Sequence, residues 1–261
     1  MNVPIITPSE IGGFFAVFSR LGAFFMAFPF INSAMVPFTV RVFLLVSLSF
    51  FVSSILGVRV PLENYSFADF GFLVGKELFI GFTMALLTAI FLGIVSYAAE
   101  LVSYSMGITV ANMFDPTFGV ISVLDRFYIL FFYLVFFLTD AYRFLIGSAV
   151  ASFKIIPVGK VISFDFPSLL GFMLGNAKLL FLLSFKLAFP IMLTLFVVNL
   201  ALALINRLIP QINVFIVGLP LQIMVGFAAL FIGFSAIVYA MNSLVQMLIS
   251  KTVILLKIFG G

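Results

Sequence analysis

Cysteine, histidine and tryptophan are absent from the 261 residues, and charge is scarce: 13 Lys and Arg and 9 Asp and Glu make up 8% of the chain. Without cysteine there is no disulfide, thiol nucleophile or thiolate metal site. Without histidine there is neither an imidazole ligand nor the commonest general base near neutral pH. A soluble domain carries roughly 25% charged residues, so this chain cannot cover a water-facing exterior. What it has instead is 64% apolar side chains, 38 Phe among them, and a mean hydropathy of +1.36. Lipid or other apolar protein must be its solvent. The net charge of +4 is spread along the chain with no Lys/Arg run, so nucleic acid is not an expected partner. Residues 1–10 hold no Lys or Arg and no cleavage pattern follows them, so a removable signal is not expected. An aromatic belt would have to use tyrosines such as Tyr65, Tyr97, Tyr104 and Tyr239.

A helix crossing about 30 Å of hydrocarbon needs roughly 20 apolar residues, so the length of charge-poor stretches is the informative measure. Six emerge, over about 11–31, 40–58, 78–99, 126–153, 169–205 and 208–250. The last two exceed one perpendicular crossing. Pro210 and Pro220 place the start of the final helix after the turn that contains them. Gly, Pro, Asn and Asp gather at 57–64, 106–118, 157–167 and 206–213, which read as connections. The expectation is an all-α integral membrane protein of about six long, partly kinked apolar helices in a single unit. A plain six-span tally of Lys and Arg puts both ends in the cytoplasm and Arg207 outside.

Arg20, Asp140 and Arg143 sit inside apolar segments, where a charge costs a few kcal/mol on insertion scales and turns toward protein or water. Asp140 and Arg143 stand three apart, so on one helix they would pair. Arg20 has no acid within four residues and needs a distant or foreign partner, or a route to the interface. Residues 106–119 form an apolar connection, odd for a loop in water. Asp115 and Pro116 suit a helix start, but a cap does not explain exposing Met106, Met113, Phe114 and Phe118, which favours burial against partners or in a pore. At 206–213, Arg207 offsets a helix dipole and Pro210 stops the helix; Gln211 and Asn213 are left over. Gly71/Gly75 and Gly171/Gly175 match the small-xxx-small spacing of close helix pairs. No phosphate-cradling loop, nucleophile elbow or catalytic carboxylate pair is present, so no cofactor and no enzymatic activity are expected. A stand-alone secondary transporter is the alternative, though the few charges do not repeat in two halves.

With these residues in view, the chain resembles the FliR/SctT family of type III export-gate proteins, flagellar and injectisome. The resemblance rests on Ser19-Arg20-Leu21-Gly22, Pro29, Pro37, Arg41, Met106-Gly107, Phe114-Asp115-Pro116, Asp140, Ser152-Phe153, Pro157 and Gly159. Most specific is the run from Arg207 through Pro210, Gln211 and Asn213 to Phe215, followed by Gly218-Leu219-Pro220-Leu221. After Asp140 the family often has Gly-His where this chain has Ala141-Tyr142.

The resemblance implies a single copy closing a helical ring with FliP and FliQ, beside FlhB and FlhA, in the bacterial inner membrane at the flagellar basal body. It implies an FliP-like part over about 1–165 and an FliQ-like hairpin over about 166–261, passing unfolded flagellar proteins. Met106, Gly107, Met113, Phe114, Asp115, Pro116 and Phe118 would then belong to a pore plug. Arg207, Pro210, Gln211 and Asn213 would form a cytoplasm-facing hairpin tip near FlhB, opposite to the charge tally.

Overall fold

A computed structural model describes residues 7–26, 28, 36–109, 123–159, 165–209 and 214–260. Among the described residues the structure is helical throughout, with no strand. Seven helices follow in order: α1 Pro8–Met26, α2 Phe38–Leu56, α3 Phe67–Ser105, α4 Val123–Leu138, α5 Ala141–Ile155, α6 Phe166–Leu208 and α7 Val214–Gly260. A short 3-10 turn, Leu62–Asn64, lies between α2 and α3. Two compact units are distinguished: Met1–Ile90 with Tyr142–Leu174 and Leu248–Gly261, and Phe91–Ala141 with Gly175–Met247.

In the first unit α1 starts on Thr7, with Pro8 in the first turn, where its missing N–H costs nothing. The Thr7 N–H donates to Glu10 Oε2 at 3.1 Å, the reciprocal half of a capping box. That bond, with the nearby Arg59 guanidinium, holds the Glu10 carboxyl below its ordinary range. The helix is a core element. Ala16, Val17 and Leu21 are wholly buried, and the larger side chains, Val17 and Leu21, each contribute about 1.5–3 kcal/mol by leaving water. Its glycines let backbone meet backbone: a Cβ on Gly13 would lie 2.0 Å from the Val58 carbonyl oxygen, and one on Gly12 2.8 Å from that of Val60. Ala16, Val60 and Leu73 pack together there, with Leu62, Tyr65 and Val158 around them.

Gly57 ends α2 at φ 57, with its own N–H on Ser54 O and the Val58 N–H on Ser53 O, a Schellman closure. Nothing lies near its missing Cβ, so Gly57→Ala carries only the left-handed backbone cost of about 1–2 kcal/mol. Thermal unfolding of the purified assembly should shift down by a few degrees, and an unchanged midpoint would show that the turn relaxes freely.

In the second unit the Ser184 hydroxyl on α6 contacts the Ile94 carbonyl of α3 at 2.9 Å and that of Leu180 at 2.6 Å. Gly93 admits Leu180 at the same crossing, and Tyr97 meets Phe181 edge-on at 5.8 Å between ring centroids. On α4, Phe131 meets Phe234 of α7 edge-on at 4.8 Å.

Among the described residues four helices are long and apolar enough to cross a membrane: α2, α3, α6 and most of α7; α4 and α5 together make a broken fifth candidate. The expected first span, α1, is not among them; it carries Arg20 and is packed inside protein. The stretch predicted over 78–99 is the middle of the 39-residue α3. The stretch over 126–153 is interrupted at 139–140, where Asp140 takes φ 54 and ends α4 as Asn or Gly usually does. Pro190 does not break α6, and Pro220 lies inside α7, which starts at Val214; long apolar helices tolerate proline where other groups can re-satisfy the freed carbonyls. At 1.5 Å per residue the 43-residue α6 and 47-residue α7 extend about 65–70 Å, twice a hydrocarbon core.

The chain covers these helices unevenly. In the most apolar window of α3 61% of residues are buried, against 11% for α2, 22% for α6 and 17% for α7. So α3 is internal, whereas α2 shows Phe43, Phe50, Phe51 and Ile55 outward. Faces so apolar need lipid or further protein against them.

Candidate functional site

Among the described residues the charges placed most deeply are Arg20 and Glu77. The Arg20 side chain is 1% exposed and sits on the buried face of α1. Its Nε donates to Glu77 Oε2 of α3 at 2.6 Å, Nη1 to the Ser152 hydroxyl of α5 at 3.1 Å, and Nη2 to the Ile156 carbonyl at 3.0 Å. The Phe153 ring lies 4.2 Å below the guanidinium carbon. The planar fork thus ties α1 to both α3 and α5, and the Ile156 contact satisfies a carbonyl at the C-terminal end of α5. Glu77 is wholly buried, and its Oε1 stands 3.4 Å from the Lys76 ammonium. The distant partner that Arg20 required is 57 residues away.

Asp140 and Arg143 are placed differently from expectation. They do not share a helix: Asp140 occupies the break after α4, and Arg143 is in the first turn of α5. Both are exposed, so the description of them as buried charges is corrected for this chain. Arg143 Nε donates to the Tyr142 hydroxyl at 2.9 Å.

Of the residues assigned to the central connection, Met106 and Gly107 are described; Met113, Phe114, Asp115, Pro116 and Phe118 lie outside the described residues. Met106 is completely buried in a notch at Gly226 of α7, where a Cβ would come within 2.6 Å of its side chain. Gly107, at φ 73, faces Leu219 and Gln222 of the same helix. Gln222 in turn hydrogen-bonds Asn199 of α6, a polar link between two apolar helices that sequence reasoning missed. Ile108 and Val123, on either side of residues 110–122, both line an apolar cavity of about 460 Å³, together with Phe127, Tyr128, Phe231 and Phe234. At the hairpin, Arg207 stands exposed in the last turn of α6, where a cation offsets the helix dipole; Pro210, Gln211 and Asn213 lie outside the described residues.

Gly71/Gly75 and Gly171/Gly175 match the small-xxx-small spacing only: nothing lies within 4 Å of a Cβ built on any of them. The close approaches are at Gly12, Gly13, Gly81, Gly107, Gly226 and Gly260 instead.

These features define an all-α membrane protein with over-length apolar helices, a buried Arg20–Glu77 ion pair within its first unit, and broad apolar faces left exposed. A family model described as "Bacterial export proteins, family 1" matches residues 11–248, and the chain belongs to that family. It is similar to the flagellar biosynthetic protein FliR of Aquifex aeolicus (strain VF5), with 32% identity over 209 residues, 79% of either chain. FliR of Bacillus subtilis (strain 168) is 29% identical over 219 residues, 82% of this chain and 83% of that one. The surface presentation of antigens protein SpaR of Shigella flexneri is 28% identical over 182 residues, 69% of this chain and 68% of that one.

Proposed function

We propose that this chain is a subunit of the flagellar type III protein export gate, helping to form and close the channel through which unfolded flagellar proteins leave the cell. The observation that carries the reading is the family match over 11–248, nearly the whole chain. Long helices whose apolar faces are mostly uncovered fit a subunit of a larger assembly. The neighbours are FliP and FliQ, with FlhB and FlhA beside them, in the bacterial inner membrane. One copy serves each gate, its residues 1–165 standing in for an FliP chain and residues 166–261 for an FliQ hairpin. The chain works by closure and passage, with no catalytic chemistry of its own. An injectisome gate is the second reading, supported by the likeness to SpaR, but FliR likeness covers more of the chain at higher identity. Deleting the gene from its host should abolish secretion of flagellar proteins and motility. Unchanged flagellar secretion would overturn the reading, and loss of effector secretion alone would assign the chain to an injectisome.

In the same reading the 106–118 segment is the seal, rooted where Met106 seats against Gly226. Deleting Met113 to Thr117 should leave the assembly intact by size but raise its ion conductance in a planar bilayer well above background. A tight deletion variant would remove the plug role. Arg207, with Pro210, Gln211 and Asn213, forms the tip that meets FlhB. Arg207→Ala should lower secretion while the other gate subunits still co-purify.

A further inference from the structure

Met106 and Gly107 are seated on one face of α7. Leu219, Gln222 and Gly226 stand three and seven residues apart, so they share that face over about 10 Å of helix. A Cβ built on Gly107 would lie 2.7 Å from the Leu219 side chain and 3.3 Å from the Gln222 amide oxygen. Met106 is wholly buried in the notch at Gly226. A Cβ on Gly226 would stand 2.6 Å from both its Cγ and its Cε, so the whole side chain, and not its tip alone, would have to move.

Gln222 also faces the other way. Its Nε2 donates to the Asn199 side-chain oxygen of α6. Gln222 is the only amide side chain from 214 to 241, and Asn199 the only one from 187 to 205. Apolar helix faces tolerate slip and rotation against one another, whereas two isolated amides meet in a single register. A one-residue change in the register of α7 would turn Gln222 about 100° away from Asn199 and carry Gly226 from under Met106 by the same angle.

We infer that the Asn199–Gln222 hydrogen bond is a register clasp for the seal. By fixing α7 on α6 it places Leu219, Gln222 and Gly226 beneath Met106 and Gly107, and so sets where the 106–118 segment begins. Asn199, Gln222 and Gly226 are positioning residues, and the α6–α7 hairpin is the frame on which the seal is mounted. The inference rests on the sealing role proposed above for that segment.

The test uses the full chain in its native assembly. Because the chain has no cysteine of its own, Met106→Cys with Gly226→Cys reports the seat through disulfide formation, and oxidation should join the two in the closed gate. Asn199→Leu with Gln222→Leu removes both amides and strands neither. The complex should keep its size while the 106–226 crosslink falls about fivefold, the population change set by one net hydrogen bond. Ion conductance in a planar bilayer should rise toward that of the Met113 to Thr117 deletion. Exchanging the amides, Asn199→Gln with Gln222→Asn, keeps a hydrogen bond and should keep the gate tight. Gly226→Ala leaves the clasp in place, displaces Met106 and should leak. No crosslink in the Met106→Cys, Gly226→Cys gate would overturn the inference, as would a double leucine variant that crosslinks fully and stays tight. If the double leucine variant does not assemble, a tight Gly226→Ala gate overturns the inference by itself. A tight Met113 to Thr117 deletion would remove the sealing role and this inference with it. A leaky deletion beside tight clasp and seat variants would remove the positioning role alone.

Discussion

Arg20→Ala should remove most of the chain from assembled complexes, the largest loss expected of any single side-chain change here. The substitution leaves Glu77 wholly buried, opposite a hole where a cation stood, and also frees the Ser152 hydroxyl and the Ile156 carbonyl. Removing one partner of a buried ion pair costs about 3–5 kcal/mol, against a total folding stability of about 5–15 kcal/mol. Glu77→Ala should do nearly as much damage from the other side, because it strands the guanidinium. Arg20→Lys should be intermediate: an ammonium is a point donor and cannot serve Glu77, Ser152 and Ile156 from one plane. Replacing both partners by apolar residues, Arg20→Met with Glu77→Leu, should recover much of the loss, since the desolvation cost of both charges disappears. The readout is the amount of chain in purified complexes and the unfolding midpoint of what remains. A normal yield from Arg20→Ala would mean that the pair contributes little to holding α1, α3 and α5 together.

The second large effect is one of sign. On helix propensity alone, Gly→Ala within α3 stabilises by about 1 kcal/mol. At Gly81 the opposite is expected. A Cβ there would stand 2.1 Å from the Arg20 carbonyl oxygen and 2.9 Å from its carbon, backbone atoms that cannot rotate aside. Such overpacking costs about 1–3 kcal/mol or more, and it pushes α1 off the helix that supplies Glu77. Gly75→Ala, six residues earlier on the same helix, meets nothing within 4 Å and should be neutral or stabilising. Unfolding midpoints of the two variants should therefore move in opposite directions. If both fell together, a neighbouring subunit would be seated on Gly75.

These two positions also show what the sequence could and could not disclose. That Arg20 required a partner was legible, because a lone charge in an apolar segment has to be neutralised somewhere. That the partner is Glu77 was not, because no local periodicity links residues 57 apart, and Glu77 sits beside Lys76 as if paired on the surface. The long apolar helices were visible as charge-poor stretches, but their ends were not. Proline need not end a long apolar helix, so α6 passes Pro190 and α7 passes Pro220, both on exposed faces. The interruption at Thr139 and Asp140 carries no Gly or Pro to announce it. Spacing alone singled out Gly71 and Gly75, whereas the contact that matters uses Gly81, whose small partner at that spacing is Ala85 and not a second glycine. The hairpin cation Arg207 was recognisable because a dipole at a helix end needs no distant residue to explain it.

The bare faces of α2, α6 and α7 present Phe43, Phe51, Phe196 and Leu204, and the proposed gate assigns them to neighbouring chains. The direct measurement is to produce the full chain alone and together with FliP and FliQ, extract both from membranes, and compare particle homogeneity and unfolding. Co-production should give one monodisperse complex with a single copy of this chain, and the chain alone should aggregate or be degraded. A stable, monodisperse monomer from the chain alone, fully inserted in a bilayer, would contradict that assignment.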